Sequence, residues 1–312
     1  MLQADAFDIA EWPADDSFGD IYPEGARSKR TVFSLSETPD CLKPDWRYLF
    51  KLSARQYPAQ FWVEIIAYHV GLTLGVPVPP AFAAFDSRTG ESGALIEWFY
   101  AEDEVSFFPG GDLFQRLIPD FDRQRGTQHN LADAMRANDR IVGLDSFLQF
   151  APMLLFDALI GNTDRHQDNW GYIATPFIDA DGAVDYRFSF APWFDNGTSM
   201  GHERFLHRVE GWEDGQYRRY VERGRHHMRL QLSSEERLGH LESMRFIAGE
   251  APRLKELLRD RLEQVDLAYV RGICEALVEL DMPVASKLDP QRYEFILRLL
   301  TLRRELILDA LR

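Results

Sequence analysis

The stretch Leu159-Ile160-Gly161-Asn162-Thr163-Asp164-Arg165-His166-Gln167-Asp168-Asn169-Trp170 crowds polar side chains into one turn between an apolar run and a β-like segment. Asp164 stands five residues before Asn169. That is the spacing of a phosphotransfer loop, where a carboxylate accepts a hydroxyl proton and an amide oxygen holds a metal. The spacing alone recurs by chance, and a solvated loop has the same composition; the flanking segments add the weight. Trp170-Gly171-Tyr172-Ile173 and Val184 to Phe190 flank Asp179-Ala180-Asp181-Gly182, a hairpin pattern. Asn169 precedes the first strand, and Asp195, in Trp193-Phe194-Asp195-Asn196-Gly197, follows the second. Antiparallel pairing brings both to the open end of the hairpin. A carboxylate and an amide oxygen meeting there suit Mg²⁺, which takes one or two protein carboxylates and leaves its other positions to waters and phosphates.

Such a site also needs a cation for phosphate groups. Lys51 lies on one face of a strand and Glu64 on the helix that follows, a lysine–glutamate arrangement that orients an ammonium. The alternative is a lysine with a solvated head beside an unrelated surface glutamate. Upstream, Glu24-Gly25-Ala26-Arg27-Ser28-Lys29 is a turn whose free N–H groups could cover phosphates. A plain surface turn reads the same way.

The elements that must position these groups follow from pattern. Residues 1–30 are polar and rich in Asp, Gly and Pro. Strands are expected at 31–35, 48–52, 78–85 and 94–99, with Tyr48, Phe50 and Leu52 on one face and Leu49 and Lys51 on the other. A helix is expected over 61–74, closed by Gly75 and Pro77. Further helices are expected at 112–118, 130–140, 145–160, 233–247, 252–278 (interrupted) and 290–311, the last with Phe295, Leu299, Leu302, Leu306 and Ile307 as a core stripe. This is an α+β, two-lobed chain: a small β-rich lobe over 1–100 and a larger helical lobe over 101–312. Its 312 residues, 45% apolar and 27% charged, make a globular composition. The net charge of −15 argues against a general binder of nucleic acid or membrane surfaces. Two cysteines, Cys41 and Cys274, give no disulfide framework. With no signal-peptide pattern and no transmembrane segment, the expected location is the cytoplasm.

Asn162-Thr163-Asp164-Arg165-His166-x-x-Asn169, followed by Phe194-Asp195-Asn196-Gly197, resembles the HipA-like serine/threonine kinases of bacteria and their compact CtkA-type relatives. Gly25-Ala26-x-x-Lys29 is similar to that family's phosphate-covering turn, Phe50-Lys51 to its strand lysine, and Glu97-Trp98-Phe99 to its adenine-contacting hinge. The resemblance implies a protein-kinase-like fold and Mg²⁺-dependent transfer of the γ-phosphate of ATP to a protein serine or threonine, the chain's own included. It implies that Asp164 is the general base, that His166 and Asn169 sit at the phosphates and metal, and that Asp195 holds Mg²⁺. Gly25, Ala26, Ser28, Lys29 and Lys51 would contact phosphates, Glu64 would hold Lys51, and Glu97 and Phe99 would offer backbone groups to adenine. A protein substrate and an antitoxin-like regulator are the implied partners. There are departures. Only 24 residues precede Gly25, short of the N-terminal segment of full-length HipA toxins. No serine occupies Ile21-Tyr22-Pro23-Glu24, where many members carry a regulatory one, and Tyr100 replaces an acidic residue expected after the hinge, with Glu102 and Asp103 nearby.

Other readings compete. The Asp164 loop also resembles phosphoinositide kinases. A basic run, Tyr217 to Arg229, holds Arg218, Arg219, Arg223, Arg225 and Arg229 against Glu222. It is either a receiver of acidic or phosphate groups or a solvated helix face. Gly197-Thr198-Ser199-Met200-Gly201 fits the G-x-S-x-G elbow of serine hydrolases, with Asp214 and His226 or His240 following in order, but lacks the strand that must precede it. A pseudokinase-type ATP-binding module is the non-catalytic alternative. His69, within an apolar helix, reads as a buried structural side chain.

Overall fold

The structure is a computed structural model that describes residues 3–15, 28–101, 104–143 and 145–312. The front of the chain builds a five-stranded sheet from β1 (Phe7–Asp8), β2 (Lys29–Phe33), β3 (Arg47–Leu52), β4 (Ala81–Asp86) and β5 (Glu91–Glu97), in the order β1-β4-β5-β3-β2. β1 runs parallel to β4, and the other pairs are antiparallel. The period-two alternation in β3 divides the sheet as expected. Tyr48 and Phe50 pack with Ile9, Val32, Phe82 and Leu95 on one face. Leu49 and Lys51 face the other way. β1 was not expected, since two residues in a polar segment carry no period. Its edge is tied down by Gln3, whose amide accepts the Ala83 N–H (2.8 Å) and donates to Ala83 O (2.7 Å), as a strand residue would.

The second face of the sheet is covered by α1 (Gln60–Leu74). Phe61, Trp62, Val63, Ile65, Ile66 and Val70 are all buried. A helix apolar on every side must lie between layers, and α1 lies between the sheet and the helical lobe. Trp62 Nε1 donates to Ser286 O (3.0 Å) and His69 Nδ1 meets Tyr269 Oη (3.1 Å), both from the far end of the chain. Gly75, at φ 68°, ends the helix in the left-handed conformation.

The rest of the chain is mostly helical. β6 (Ser106–Pro109), β7 (Gly171–Ile178) and β8 (Val184–Phe190) form a three-stranded sheet, and β9 (Arg225–Arg229) pairs with β10 (Arg237–Gly239). Around them lie α2 (Gly110–Leu117), α3 (Leu131–Ala137), which runs into a π-helical turn at Asn138–Val142, α4 (Ser146–Ile160), α5 (Leu206–Val209), α6 (Asp214–Glu222), α7 (His240–Glu250), α8 (Pro252–Glu263), α9 (Leu267–Glu279) and α10 (Pro290–Ala310). The helix expected over 233–247 begins only at His240, because Arg237–Gly239 is drawn into β10. The segment 252–278 divides into α8 and α9, the second N-capped by Asp266, which accepts the Tyr269 N–H (2.8 Å). The basic run is not one helix face: it splits between α6 and β9. Phe295, Leu299, Leu306 and Ile307 of α10 are core residues. Among the described residues no helix is long and apolar enough to cross a membrane.

Two outcomes follow from packing and burial. Gly93 of β5 sits where a Cβ would lie 2.6 Å from the Lys51 carbonyl oxygen, whereas a Cβ at Gly272 in α9 meets nothing within 4 Å. Gly93→Ala should therefore lower the unfolding free energy by about 1–3 kcal/mol, and Gly272→Ala should raise it by roughly 0.5–1 kcal/mol; urea titrations read both signs. Burial holds five histidines below the ordinary imidazole range: His69 and His227 at about 4, His226 at about 3, and His129 and His240 well below it. Between pH 6.5 and 4 the unfolded chain therefore binds more protons than the folded one. Stability is full above pH 6.5 and falls as the pH drops, by up to about 1.4 kcal/mol per pH unit for each histidine. Equal urea midpoints at pH 7 and pH 5 would refute this.

Candidate active site

Three distant parts of the chain meet at one ammonium group. Lys51 Nζ lies 2.9 Å from Glu64 Oε1 of α1 and 2.7 Å from Asp195 Oδ1 of the loop after β8. Lys51 and Glu64 are 4% and 3% exposed. Leaving either buried charge unpaired would cost several kcal/mol, so the pairing fixes both side chains. The other oxygen of Glu64 accepts the Asn196 N–H at 2.8 Å. A single carboxylate thus holds both the strand lysine and the backbone next to Asp195. The surface-lysine alternative is excluded by this geometry.

The loop carrying Asp164 is organised by Arg165, which is fully buried. Its Nε donates to Asp157 Oδ2 (3.1 Å) and its Nη2 to Asp157 Oδ1 (2.8 Å) and Asn196 Oδ1 (2.7 Å). Its Nη1 donates to the carbonyl oxygens of Asn169 (3.2 Å) and Phe194. The rigid guanidinium fork suits this role, presenting donors in two directions at fixed angles. It clamps the backbone of Asn169 to that of the residue preceding Asp195, so the two sides of the hairpin mouth are held together. Asp157 comes from the last turn of the apolar α4; burial pushes its carboxyl up and Arg165 opposes that shift. Asn162 Oδ1 accepts the Asp164 N–H (2.9 Å) and the Thr198 hydroxyl (3.2 Å). Asn169 Nδ2 donates to Asp164 O (2.9 Å), which turns the amide oxygen of Asn169 the other way. Asp195 sits at φ 57°, in the left-handed region that Asp tolerates better than most residues.

The hard-oxygen donors at this mouth are the Asn169 amide and the Asp195 carboxylate, a set that fits Mg²⁺. Among the described residues no three His, Cys, Asp or Glu side chains cluster as a metal centre. His166 Nδ1 accepts the Asp168 N–H (3.2 Å), and its ring lies edge-on to His227. Asp168 in turn pairs with Arg123 at 2.6 Å. At the hinge, Glu97 N donates to Pro80 O (2.8 Å), and its side chain pairs with Lys43 (2.7 Å). Proline has no N–H to return, so the Glu97 carbonyl is left out of the ladder and available as an acceptor. The Phe99 ring stacks on Phe194, with centroids 5.2 Å apart, joining the hinge to the Asp195 loop. Ser28 O accepts the Leu52 N–H (3.0 Å), and Lys29 is paired in register with Lys51. Gly25 and Ala26 lie outside the described residues, as do Glu102 and Asp103.

The hydrolase reading fails on geometry. No strand precedes Ser199, which is buried and donates its hydroxyl to Asn196 O. Asp214 is exposed and paired with Arg298 (2.6 Å), His226 Nε2 meets Ser243 Oγ (3.0 Å), and His240 Nε2 meets Asn162 O (2.9 Å). The supporting residues Asp157, Arg165, Asn162 and Asn196 were not singled out from sequence. Arg165, Asn162 and Asn196 stood inside the motifs that carry the resemblance without a role of their own, and Asp157 is an acid inside an apolar helical run.

No family model matches the chain, and no curated protein matches it. Among solved structures, the Helicobacter pylori proinflammatory kinase CtkA superposes with a TM-score of 0.70 over 98% of this chain and 96% of that one, at 17% identity. A chain of the Shewanella oneidensis MR-1 complex of HipA, HipB and operator DNA matches with a TM-score of 0.42, over 96% of this chain and 67% of that one, at 14% identity. The two-lobed arrangement, a β-sheet lobe followed by a helical one, is therefore the kinase-like fold seen in CtkA.

Proposed function

We propose that this chain is an ATP- and Mg²⁺-dependent kinase that transfers the γ-phosphate to a serine or threonine hydroxyl of a protein, its own chain included. The observation that carries the reading is the Lys51 ammonium shared between Glu64 and Asp195. It aligns the strand lysine with the hairpin mouth that holds Asn169 and stands one turn from Asp164. Two of the three ammonium protons are taken by the carboxylates; the third is free for a phosphate oxygen. The Glu97 carbonyl accepts from the adenine amino group, and the stacked Phe99 and Phe194 rings hold the hinge against the Asp195 loop. Asn169 and Asp195 would hold Mg²⁺, which would supply charge neutralisation for the phosphates.

Asp164 accepts the proton of the attacking hydroxyl. The new bond forms between that oxygen and the γ-phosphorus, the bridging bond to the β-phosphate breaks, and ADP leaves. The contact of Asn169 Nδ2 with Asp164 O fixes the backbone that carries the base. Arg165 and Asn162 act as positioning residues. The protein does little covalent chemistry here, so rate comes from alignment and charge placement.

Radiolabelled ATP with Mg²⁺, offered to the chain alone, to a generic protein substrate and to phosphoinositide vesicles, tests the reading. Label in protein is expected. Label only in lipid means a phosphoinositide kinase, and bound but untransferred nucleotide means a binding module. Asp164→Ala should cut transfer by about 10²–10⁴-fold while ATP affinity by calorimetry is kept. Asp195→Ala should weaken Mg²⁺-dependent nucleotide binding and transfer together. Undiminished transfer by either variant removes that residue's role.

A further inference from the structure

Beside Thr163, the residue before Asp164, lies a cavity of about 530 Å³. Its walls carry six guanidinium groups, from Arg204, Arg219, Arg223, Arg225, Arg237 and Arg303, and one carboxylate, from Glu203. Glu203 pairs with Arg204 (3.1 Å), and Arg225 pairs with Glu236 (2.6 Å). Arg219, Arg223, Arg237 and Arg303 have no carboxylate at ion-pair distance among the described residues. Arg303 is the decisive one. It is 2% exposed; its Nη1 donates to Ala158 O (3.1 Å) and meets His240 Nδ1 (3.3 Å), while its Nε has no partner. Its burial penalises the charged form, with Glu203 and Tyr220 only partly offsetting that.

A buried cation without a counter-ion costs several kcal/mol unless a ligand supplies the charge. The chain has 50 acidic residues against 35 basic ones, yet it places no carboxylate on Arg303. We propose that this cavity is an oxyanion subsite that receives an acidic side chain of the protein substrate, carboxylate or phosphoryl, close to the hydroxyl being phosphorylated. The proposal rests on the kinase reading and names the substrate class for that same site. Thr163 lines the cavity and adjoins the base, and an extended peptide advances about 3.3 Å per residue, so an anchor a few residues from the acceptor spans the gap. A phosphoryl group offers three strong acceptor oxygens to several guanidinium forks, so it should bind more tightly than a carboxylate. The overall charge of −15 repels acidic chains; a local reversal of sign beside the catalytic loop sets where and how such a chain docks.

The test uses the whole chain and fluorescent alanine-based peptides. Each has one serine acceptor and, at successive offsets, a phosphoserine, a glutamate or an alanine. Binding is read by anisotropy without ATP, and phosphorylation separately with ATP and Mg²⁺. At one offset the phosphoserine peptide should bind about tenfold tighter than the alanine peptide, with glutamate between them. Arg219 and Arg237 are exposed, so an Arg219→Ala/Arg237→Ala double variant should keep its melting temperature and lose that preference. Equal binding of all three peptides overturns the proposal, as does a preference unchanged in the double variant. So does phosphoinositide-vesicle binding that the double variant loses while no peptide preference exists. Anion-dependent binding without label in any peptide upholds the subsite and refutes the kinase reading. Label without anion dependence does the reverse.

Discussion

The arrangement depends on a single buried ammonium. Lys51 cannot lie inside the protein without negative partners, and the two it finds come from different layers. Glu64 belongs to a helix buried between the sheet and the helical lobe, and Asp195 to the loop that follows a hairpin. The desolvation cost of the lysine is offset only while all three segments keep their relative positions. The second oxygen of Glu64, bound to the Asn196 N–H, extends the same constraint to the backbone. An electrostatic requirement at one atom thereby sets the geometry of a cleft built from residues over 140 positions apart.

A second buried cation carries the constraint into the loop. Arg165 spends its donors on Asp157, Asn196 and two backbone carbonyls, and so brings Asn169 alongside the Phe194–Asp195 turn. Asp164 is therefore placed by its neighbours more than by its own contacts. Rigid support of this kind is what the role proposed for Asp164 requires, since small misplacements are costly in rate.

Much of this was legible in the residues, and the reason is locality. The alternation from Tyr48 to Leu52, the apolar run closed by Gly75, and the Asp179–Gly182 turn are signals carried within a few residues, and each element formed where its pattern stood. The Lys51–Glu64 pair and the meeting of Asn169 with Asp195 were readable because the strand–helix pair and the hairpin each fixed a direction; the Lys51–Asp195 contact that joins them was not. What stayed hidden needed partners far away in sequence. β6 pairs with β7 from more than sixty residues off, and β10 takes residues that carry helical character. Arg165 looked like one polar residue among several, and the run from Tyr217 to Arg229 looked like one helix face because charge density does not reveal where a chain turns. Arg303 gave no hint at all, since an arginine in an amphipathic helix is ordinarily solvated.

The setting of α1 has a consequence for control. In a kinase-like fold the glutamate helix can work as a lever, swinging away to break the lysine pair and shut the enzyme down. Here that helix is fastened: Trp62 and His69 tie it to the C-terminal region, and most of its apolar residues are buried between the two layers. Tilting it would tear open the interior. Breaking the Lys51–Glu64 pair by moving α1 would therefore mean unpacking the helix from both layers at once.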